Sequence, residues 1–122
     1  MPHTTVVFSE DESILAMIAE CLGKEWQMDR CSRPGDARAF LSRRGVGIVV
    51  IDDAAIEEPT RGWLLDQVRR LAPSALVAYI ASNHAPEIER RARSLGVQYY
   101  ISRPVDRDRT IRVLHSFVSA VR

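Results

Sequence analysis

The apolar run 48–51 is the feature that most constrains how this 122-residue chain folds. All four of its residues are β-branched, which favours a strand. The run is continuous rather than alternating, so both faces of that strand must be covered by other elements. Gly47 precedes it, and Asp52 and Asp53 follow it. This pattern is typical of a central strand in a parallel sheet that has helices on both sides.

Short apolar runs alternate with longer amphipathic stretches along the rest of the chain. Apolar residues recur at helical spacing after each run, and Gly23, Pro73 and Gly96 follow three of these stretches as helix stops. The predicted strands are 6–8, 26–31, 48–51, 76–81 and 97–102. The predicted helices are 14–22, a segment entered at 34–36 and closed at 43–45, 60–71, 86–95, and a last helix that Asp106 caps.

Five successive strand-then-helix units in 122 residues predict the fold class α/β, with one domain spanning residues 1–122. The five strands form a parallel sheet, and the helices pack on both of its faces in a doubly wound (βα)5 three-layer sandwich. In such a sheet the ligand site lies outside the carboxyl ends of the strands.

The overall charge excludes several classes of partner. There are 17 basic and 16 acidic side chains, a formal net charge of +1, so no footprint for nucleic acid or an acidic membrane surface is present.

No apolar run approaches the roughly 18 residues of a membrane span, and the first residues do not form a leader. Cys21 and Cys31 lack metal-ligand spacing and are interpreted as buried small hydrophobes. We therefore predict a cytoplasmic domain without nucleic-acid or membrane partners.

Polar residues follow most of the predicted strands at the edge where a ligand would bind. They are residues 9–11 (Ser-Glu-Asp), Asp52 with Asp53, Ser82 after Ala81, and residues 102–104 (Ser-Arg-Pro). A carboxylate can attack a phosphoryl group to form an acyl phosphate if a cation offsets the negative charges. The edge therefore combines groups that suit phosphoryl chemistry.

These strand ends resemble the receiver domain of bacterial response regulators, the chemotaxis-regulator type of two-component signalling domain, over nearly the whole chain. Asp52 follows the third strand, where that family has its phospho-acceptor, and Ser9 with Glu10 falls on the family's acidic pair. Arg103 with Pro104 falls on its Lys-Pro, Ala81 on its Thr or Ser, and Tyr100 on its switch aromatic. The resemblance implies a flavodoxin-like sheet.

The resemblance also implies a role for each of these residues. Asp52 is expected to accept the phosphoryl group, and Mg²⁺ is expected to bind Glu10, Asp52 and the backbone carbonyl of Ala54. Arg103 is expected to contact the phosphoryl oxygens through its planar fork of donors. Pro104 is expected to fix the turn after the fifth strand, with a cis bond as one option.

Two departures from the family pattern weaken this assignment. Ser9 replaces one carboxylate, which lowers the expected metal affinity, and Asp11 compensates only if its side chain points to the site. Ala81 lacks the hydroxyl that contacts the phosphoryl group and couples it to Tyr100. Ser82 is a substitute for that hydroxyl only if the local register shifts.

Several residues also have purely structural interpretations. Asp52 can end its strand by bonding loop amides, and Arg103 can be its ion-pair partner. Asp53 should face away from the site if the strand keeps its period of two. Tyr100 can be a core aromatic rather than a moving switch.

Two function classes follow. In the first, the chain is a receiver domain in phosphorelay signalling that takes a phosphoryl group from a sensor histidine kinase or phosphotransfer protein onto Asp52. Its enzymatic activity is then at most this self-phosphotransfer.

The fourth and fifth helices are rich in arginine. With the fifth strand, they form either a face for a homodimer or an effector, or a solvated face with local pairs such as Glu87–Arg91 and Glu89–Arg93. In the second class, the chain is an atypical pseudo-receiver that binds proteins or dimerises without phosphorylation.

Overall fold

Five strands form one parallel sheet in the computed structural model, which describes residues 3–121. They are β1 (His3–Phe8), β2 (Trp26–Arg30), β3 (Val46–Asp52), β4 (Leu76–Ala81) and β5 (Tyr99–Ser102). The spatial order is β2-β1-β3-β4-β5, and every neighbouring pair is parallel. The predicted doubly wound sheet is confirmed. The strand order reverses direction between β1 and β3, so a crevice is expected at their carboxyl ends.

Helices cover both faces of the sheet. They are α1 (Glu12–Cys21), α2 (Ala37–Leu41), α3 (Glu58–Leu71), α4 (Pro86–Ser94) and α5 (Arg107–Ala120), with short 3-10 turns at Pro34–Asp36 and Asp53–Ala55. Residues of α2, α3 and α4 share one apolar cluster, and residues of α1 and α5 share the other. The three layers predicted from the sequence are therefore present.

The central strand β3 explains why its apolar run is continuous. Val49 and Ile51 belong to the cluster under α2, α3 and α4, whereas Ile48 and Val50 belong to the cluster under α1 and α5. All four side chains are almost fully buried. Because successive side chains of a strand point to opposite faces, a two-sided core requires this unbroken apolar sequence.

Most predicted elements differ from the observed ones at one end or at both ends, and two of these differences have a local explanation. Helix α3 begins at Glu58 rather than residue 60, because Pro59 fits the first turn, where a missing N–H costs nothing. Strand β5 begins at Tyr99 rather than residue 97. There, Oε1 of Gln98 accepts a bond from the Val77 amide at 2.6 Å. A side chain thus takes the place of a main-chain acceptor just before the strand starts.

Cys21 and Cys31 are both buried and free, as predicted. Among residues 3–121, none of the helices has the length and apolar character needed to cross a membrane.

Candidate functional site

Three side chains converge at the carboxyl ends of β1, β3 and β5. Ser9 follows β1, Asp52 is the last residue of β3, and Arg103 follows β5. Arg103 is also held through its backbone, because its N–H donates to the carbonyl of Ala81 at 2.9 Å. The sheet therefore brings together residues that are 43 and 51 positions from Asp52 in the sequence.

Asp52 lies at the centre of this site and is only 1% exposed. Its Oδ1 accepts bonds from Arg103 Nη1 at 2.6 Å and from the Ala54 amide at 3.3 Å. Its Oδ2 accepts bonds from Arg103 Nη2 at 2.9 Å and from the Ser9 hydroxyl at 2.7 Å. A carboxylate offers about four lone-pair positions, so all of them have a donor in this arrangement. Both structural interpretations, loop-amide bonding and pairing with Arg103, are found.

Asp11 is the second carboxylate in contact with Arg103. It caps α1, because its Oδ1 accepts bonds from the amide and the hydroxyl of Ser13 at 2.9 and 2.6 Å. Its Oδ2 accepts a bond from Arg103 Nη2 at 3.1 Å. The Ser13 hydroxyl, followed by Arg103, lowers the pKa of Asp11 to about 2. The side chain therefore points to the site even though the helix starts at the next residue.

Arg103 carries a permanent positive charge in this site. Its hydrogen bond to Asp52 is the main reason that its pKa lies above the usual value for arginine, and the bond to Asp11 adds to the effect. The peptide bond between Arg103 and Pro104 is cis, the option named for this turn. Arg103 thus acts as the cation shared by two carboxylates.

Glu10 is exposed at the rim of the site. It borders a cavity of about 200 Å³ together with Asp11, Asp52, Ala54, Ala55 and Arg103. Carboxylate and carbonyl oxygens are the ligands Mg²⁺ prefers, so the donor types at this cavity suit the metal. However, no preassembled group of three acidic, His or Cys side chains exists in the described part of the chain. An oxygen of Asp52 becomes available to a metal only if one of its present donors moves away.

The residues at the end of β4 do not bring a hydroxyl to the site. Ala81 is fully buried and contributes no hydroxyl. The backbone amide of Ser82 donates to Oδ1 of Asp53 at 2.7 Å. Ser82 is not among the residues that border the cavity at Asp52. Nothing in this arrangement therefore brings the Ser82 hydroxyl to the site.

Tyr100 lies inside the protein, where it is 8% exposed. Its ring stacks on Tyr79, with centroids 5.8 Å apart and planes inclined by 7°. Its hydroxyl lies 3.4 Å from Nδ1 of His84. This inward position matches the interpretation of Tyr100 as a core aromatic.

Asp53 faces away from Asp52, as the period of the strand predicts, and it is buried. Its Oδ2 accepts a bond from the hydroxyl of Tyr79 at 2.9 Å. Burial, and then the charge of Asp53, raise the pKa of Tyr79 above its usual range. A tyrosine within the otherwise apolar strand β4 was the available sequence signal that a polar partner lies nearby.

The arginines of α4 and α5 form only some of the expected local pairs. Arg93 pairs with Glu89 at 3.0 Å, as predicted, whereas Arg107 pairs with Glu20 of α1. The guanidinium of Arg91 lies over Gly62 of α3 instead of forming an ion pair with Glu87. Part of this arginine-rich surface is therefore used to hold helices together.

Comparison by sequence finds no matching family model and no curated protein with significant similarity. Comparison by structure finds many similar proteins. A response regulator from Thermotoga maritima is 19% identical, with 98% of this chain and 99% of that chain covered and a TM-score of 0.79. The beryllofluoride-activated NtrC4 receiver domain dimer is 15% identical, with 98% of each chain covered and a TM-score of 0.78.

A putative pilus assembly protein from Burkholderia thailandensis is also similar. It is 17% identical, with 96% of this chain and 98% of that chain covered and a TM-score of 0.75. Together these comparisons show that the chain has the fold of response regulator receiver domains. Because one fold can host several functions, the function has to be argued from the site itself.

Proposed function

We propose that this chain is a receiver domain in phosphorelay signal transduction and that Asp52 is its phosphoryl acceptor. The observation that carries the proposal is the position of Asp52, which ends the central strand beside a permanently charged Arg103. Transfer of a phosphoryl group to a protein carboxylate needs that carboxylate as the nucleophile and a cation that offsets the accumulated negative charge. Both are in hydrogen-bond contact here.

The proposed partner is a phosphohistidine of a kinase or phosphotransfer protein. An oxygen of Asp52 forms a bond to phosphorus while the bond from phosphorus to the histidine nitrogen breaks, and the departing imidazole takes up one proton. Arg103 first has to release an oxygen of Asp52, and its fork of donors can then contact the phosphoryl oxygens. When bound, Mg²⁺ supplies charge neutralisation, and Glu10, Asp52 and the carbonyl of Ala54 are the residues that would hold it.

Intact mass tests the acceptor directly. The protein is incubated with acetyl phosphate and Mg²⁺, and we expect the mass of one phosphoryl group to be added to the wild type and to Asp53→Asn but not to Asp52→Asn. The neighbouring variant is a matched control, because it also replaces one buried carboxylate at the end of β3. A wild-type protein that gains no mass, or a gain that persists in Asp52→Asn, contradicts the proposal.

A specific observation also favours the second candidate, a protein-binding module that works without phosphorylation. All lone-pair positions of Asp52 are engaged, and Ala81 has no hydroxyl to contact a phosphoryl group. Titration with Mg²⁺, followed by NMR, separates the two candidates. Saturable shifts at the amides of Glu10 and Ala54 support the receiver, and their absence at millimolar Mg²⁺ supports the second candidate.

The proposed interaction face is α4, β5 and α5, as a homodimer or effector surface. Its exposed arginines Arg90, Arg91, Arg109 and Arg112 give it a positive charge suited to an acidic partner. The similar NtrC4 receiver domain forms a dimer. Sedimentation with and without acetyl phosphate tests the dimer, and a mass that stays monomeric in both conditions contradicts it.

A further inference from the structure

A second buried carboxylate, Asp53, is joined directly to Asp52 but lies on the other side of the strand. It is 1% exposed, and its two oxygens have separate partners. Oδ1 accepts a bond from the Ser82 amide at 2.7 Å, and Oδ2 accepts a bond from the Tyr79 hydroxyl at 2.9 Å. Arg61 Nη1 lies 3.8 Å from Oδ2. The side chain of Asp53 therefore ties the end of β3 to the end of β4.

The backbone around Asp53 is held as firmly as its side chain. Arg61 of α3 donates from Nη2 to the carbonyl of Asp53 at 2.9 Å and from Nε to the carbonyl of Ile56 at 3.0 Å. These bonds fix the Asp53–Ala55 turn against α3. A movement of the peptide that links Asp52 to Asp53 is thus transmitted to a carboxylate with fixed partners.

The partners of Asp53 connect to Tyr100 of β5 through two routes. Ser82 begins the loop that carries His84, whose Nδ1 lies 3.4 Å from the Tyr100 hydroxyl. The ring of Tyr79 stacks on the ring of Tyr100. A continuous set of contacts therefore links Asp53 at the end of β3 to Tyr100 of β5, once through the loop before α4 and once through the stacked ring of Tyr79.

We infer that Asp53 is the positioning residue that transmits changes at Asp52 to the loop before α4 and to Tyr100. It takes the place of the hydroxyl that Ala81 lacks. This inference rests on the proposed function, because it names how the acceptor site is read out. The competing route is the sheet backbone, where the Arg103 amide bonds to the Ala81 carbonyl. That route does not include the side chain of Asp53, so a variant can separate the two.

The test uses a trigger that does not require phosphorylation. Arg103→Gln removes the bidentate cation from Asp52, and NMR amide shifts report where the change travels. We expect Arg103→Gln to shift the signals of Ser82, His84 and Tyr100 in an otherwise wild-type chain. In an Asp53→Ala background we expect these shifts to vanish, while the signals of Ser9 and Ala54 beside Asp52 still move.

Asp53→Asn is the matched control. It keeps an oxygen that can accept from the Ser82 amide and a polar group that faces Tyr79, so we expect it to retain the distant shifts. If Asp53→Ala does not fold, Tyr79→Phe replaces it, because this change removes one hydrogen bond and keeps the aromatic stack. It is expected to reduce the shift at Tyr100 and to leave the shift at Ser82.

Two outcomes overturn the inference. One is an Arg103→Gln response at Ser82 and Tyr100 that is equal in the wild-type and the Asp53→Ala backgrounds. The other is an absence of any response at these residues in the otherwise wild-type chain. A failure of acetyl phosphate to modify Asp52 contradicts only the proposed function, because the Arg103→Gln comparison does not use it.

Discussion

Arg103 donates to both carboxylate oxygens of Asp52, with Nη1 2.6 Å from Oδ1 and Nη2 2.9 Å from Oδ2. A planar guanidinium matches the two oxygens of a carboxylate, whereas a lysine ammonium is a single point of charge. The side chain of Asp52 is 2% exposed and that of Arg103 is 27% exposed, so solvent screens the pair only in part. The ion pair therefore fixes the ends of β3 and β5 relative to each other.

Replacing Arg103 by glutamine is expected to destabilise the protein. The change leaves the buried carboxylate of Asp52 without its cation. Loss of one partner of a fully buried pair costs about 3–5 kcal/mol, and the partial exposure of Arg103 reduces the expected cost to about 2–3 kcal/mol. Urea unfolding at neutral pH measures it, and Arg103→Lys is expected to fall between the wild type and the glutamine variant.

The double variant Asp52→Asn with Arg103→Gln is the control for this interpretation. It removes the unpaired charge, so it is expected to be more stable than Arg103→Gln alone. A double variant that is as unstable as the sum of its single variants would show that the two side chains do not act on each other.

The sequence was sufficient to predict the sheet and the position of Asp52 because both depend on local patterns. A strand that is covered on both faces must be apolar throughout, and its first charged residue marks the sheet edge. This reasoning located Ile51 and Asp52 correctly at the end of the central strand.

The sequence left open which distant side chains share a partner. Whether the Asp11 side chain points to the site was left open, and one of its oxygens contacts Arg103 while the other caps α1. Arg91 was expected to pair with Glu87, but it lies over Gly62. Long or branched polar side chains have several partners within reach, and the packing of helices decides among them.

Acid is expected to weaken the protein through Asp11. The Ser13 hydroxyl and Arg103 lower its pKa from 3.8 to about 2 in the folded state. A carboxylate with a lowered folded pKa contributes stability above its unfolded pKa and loses that contribution as the pH falls through the folded value. Unfolding free energies measured by urea between pH 6 and pH 2 should fall mainly below about pH 4.

Asp11→Asn is the control, because asparagine also caps helices and cannot titrate. Its unfolding free energy is expected to change less over the same pH range than that of the wild type. An identical pH dependence in both proteins would assign the acid sensitivity to other carboxylates.

Gly62 of α3 makes room for the guanidinium of Arg91. A Cβ at this position would lie 2.5 Å from Nη2 of Arg91, at the far end of a flexible and exposed side chain. Alanine improves on glycine inside a helix by about 1 kcal/mol. We expect Gly62→Ala to be close to neutral in the wild type, because displacement of Arg91 offsets this gain. In an Arg91→Ala background, Gly62→Ala should raise the free energy of unfolding by nearly the whole of this gain. Thermal unfolding of the wild type, the two single variants and the double variant measures the difference.

Gly47 occupies a buried position in β3, where a new Cβ would meet a β-branched and an aromatic side chain. A Cβ there would lie 2.8 Å from Cγ1 of Val121 and 3.2 Å from the ring of Trp26. Overpacking of this kind costs about 1–3 kcal/mol, so Gly47→Ala is expected to lower the free energy of unfolding by that amount. Gly23→Ala is the matched control, because nothing lies within 4 Å of its Cβ position.

Adding Val121→Ala to Gly47→Ala tests whether the destabilisation by Gly47→Ala comes from a steric clash with Val121. The smaller side chain opens the space that the new Cβ needs, so the double variant should recover part of the loss relative to Gly47→Ala. This expectation uses the non-additivity of side chains in contact. Urea unfolding of the single and double variants measures the coupling, and strictly additive losses would show that the cost of Gly47→Ala does not arise against Val121.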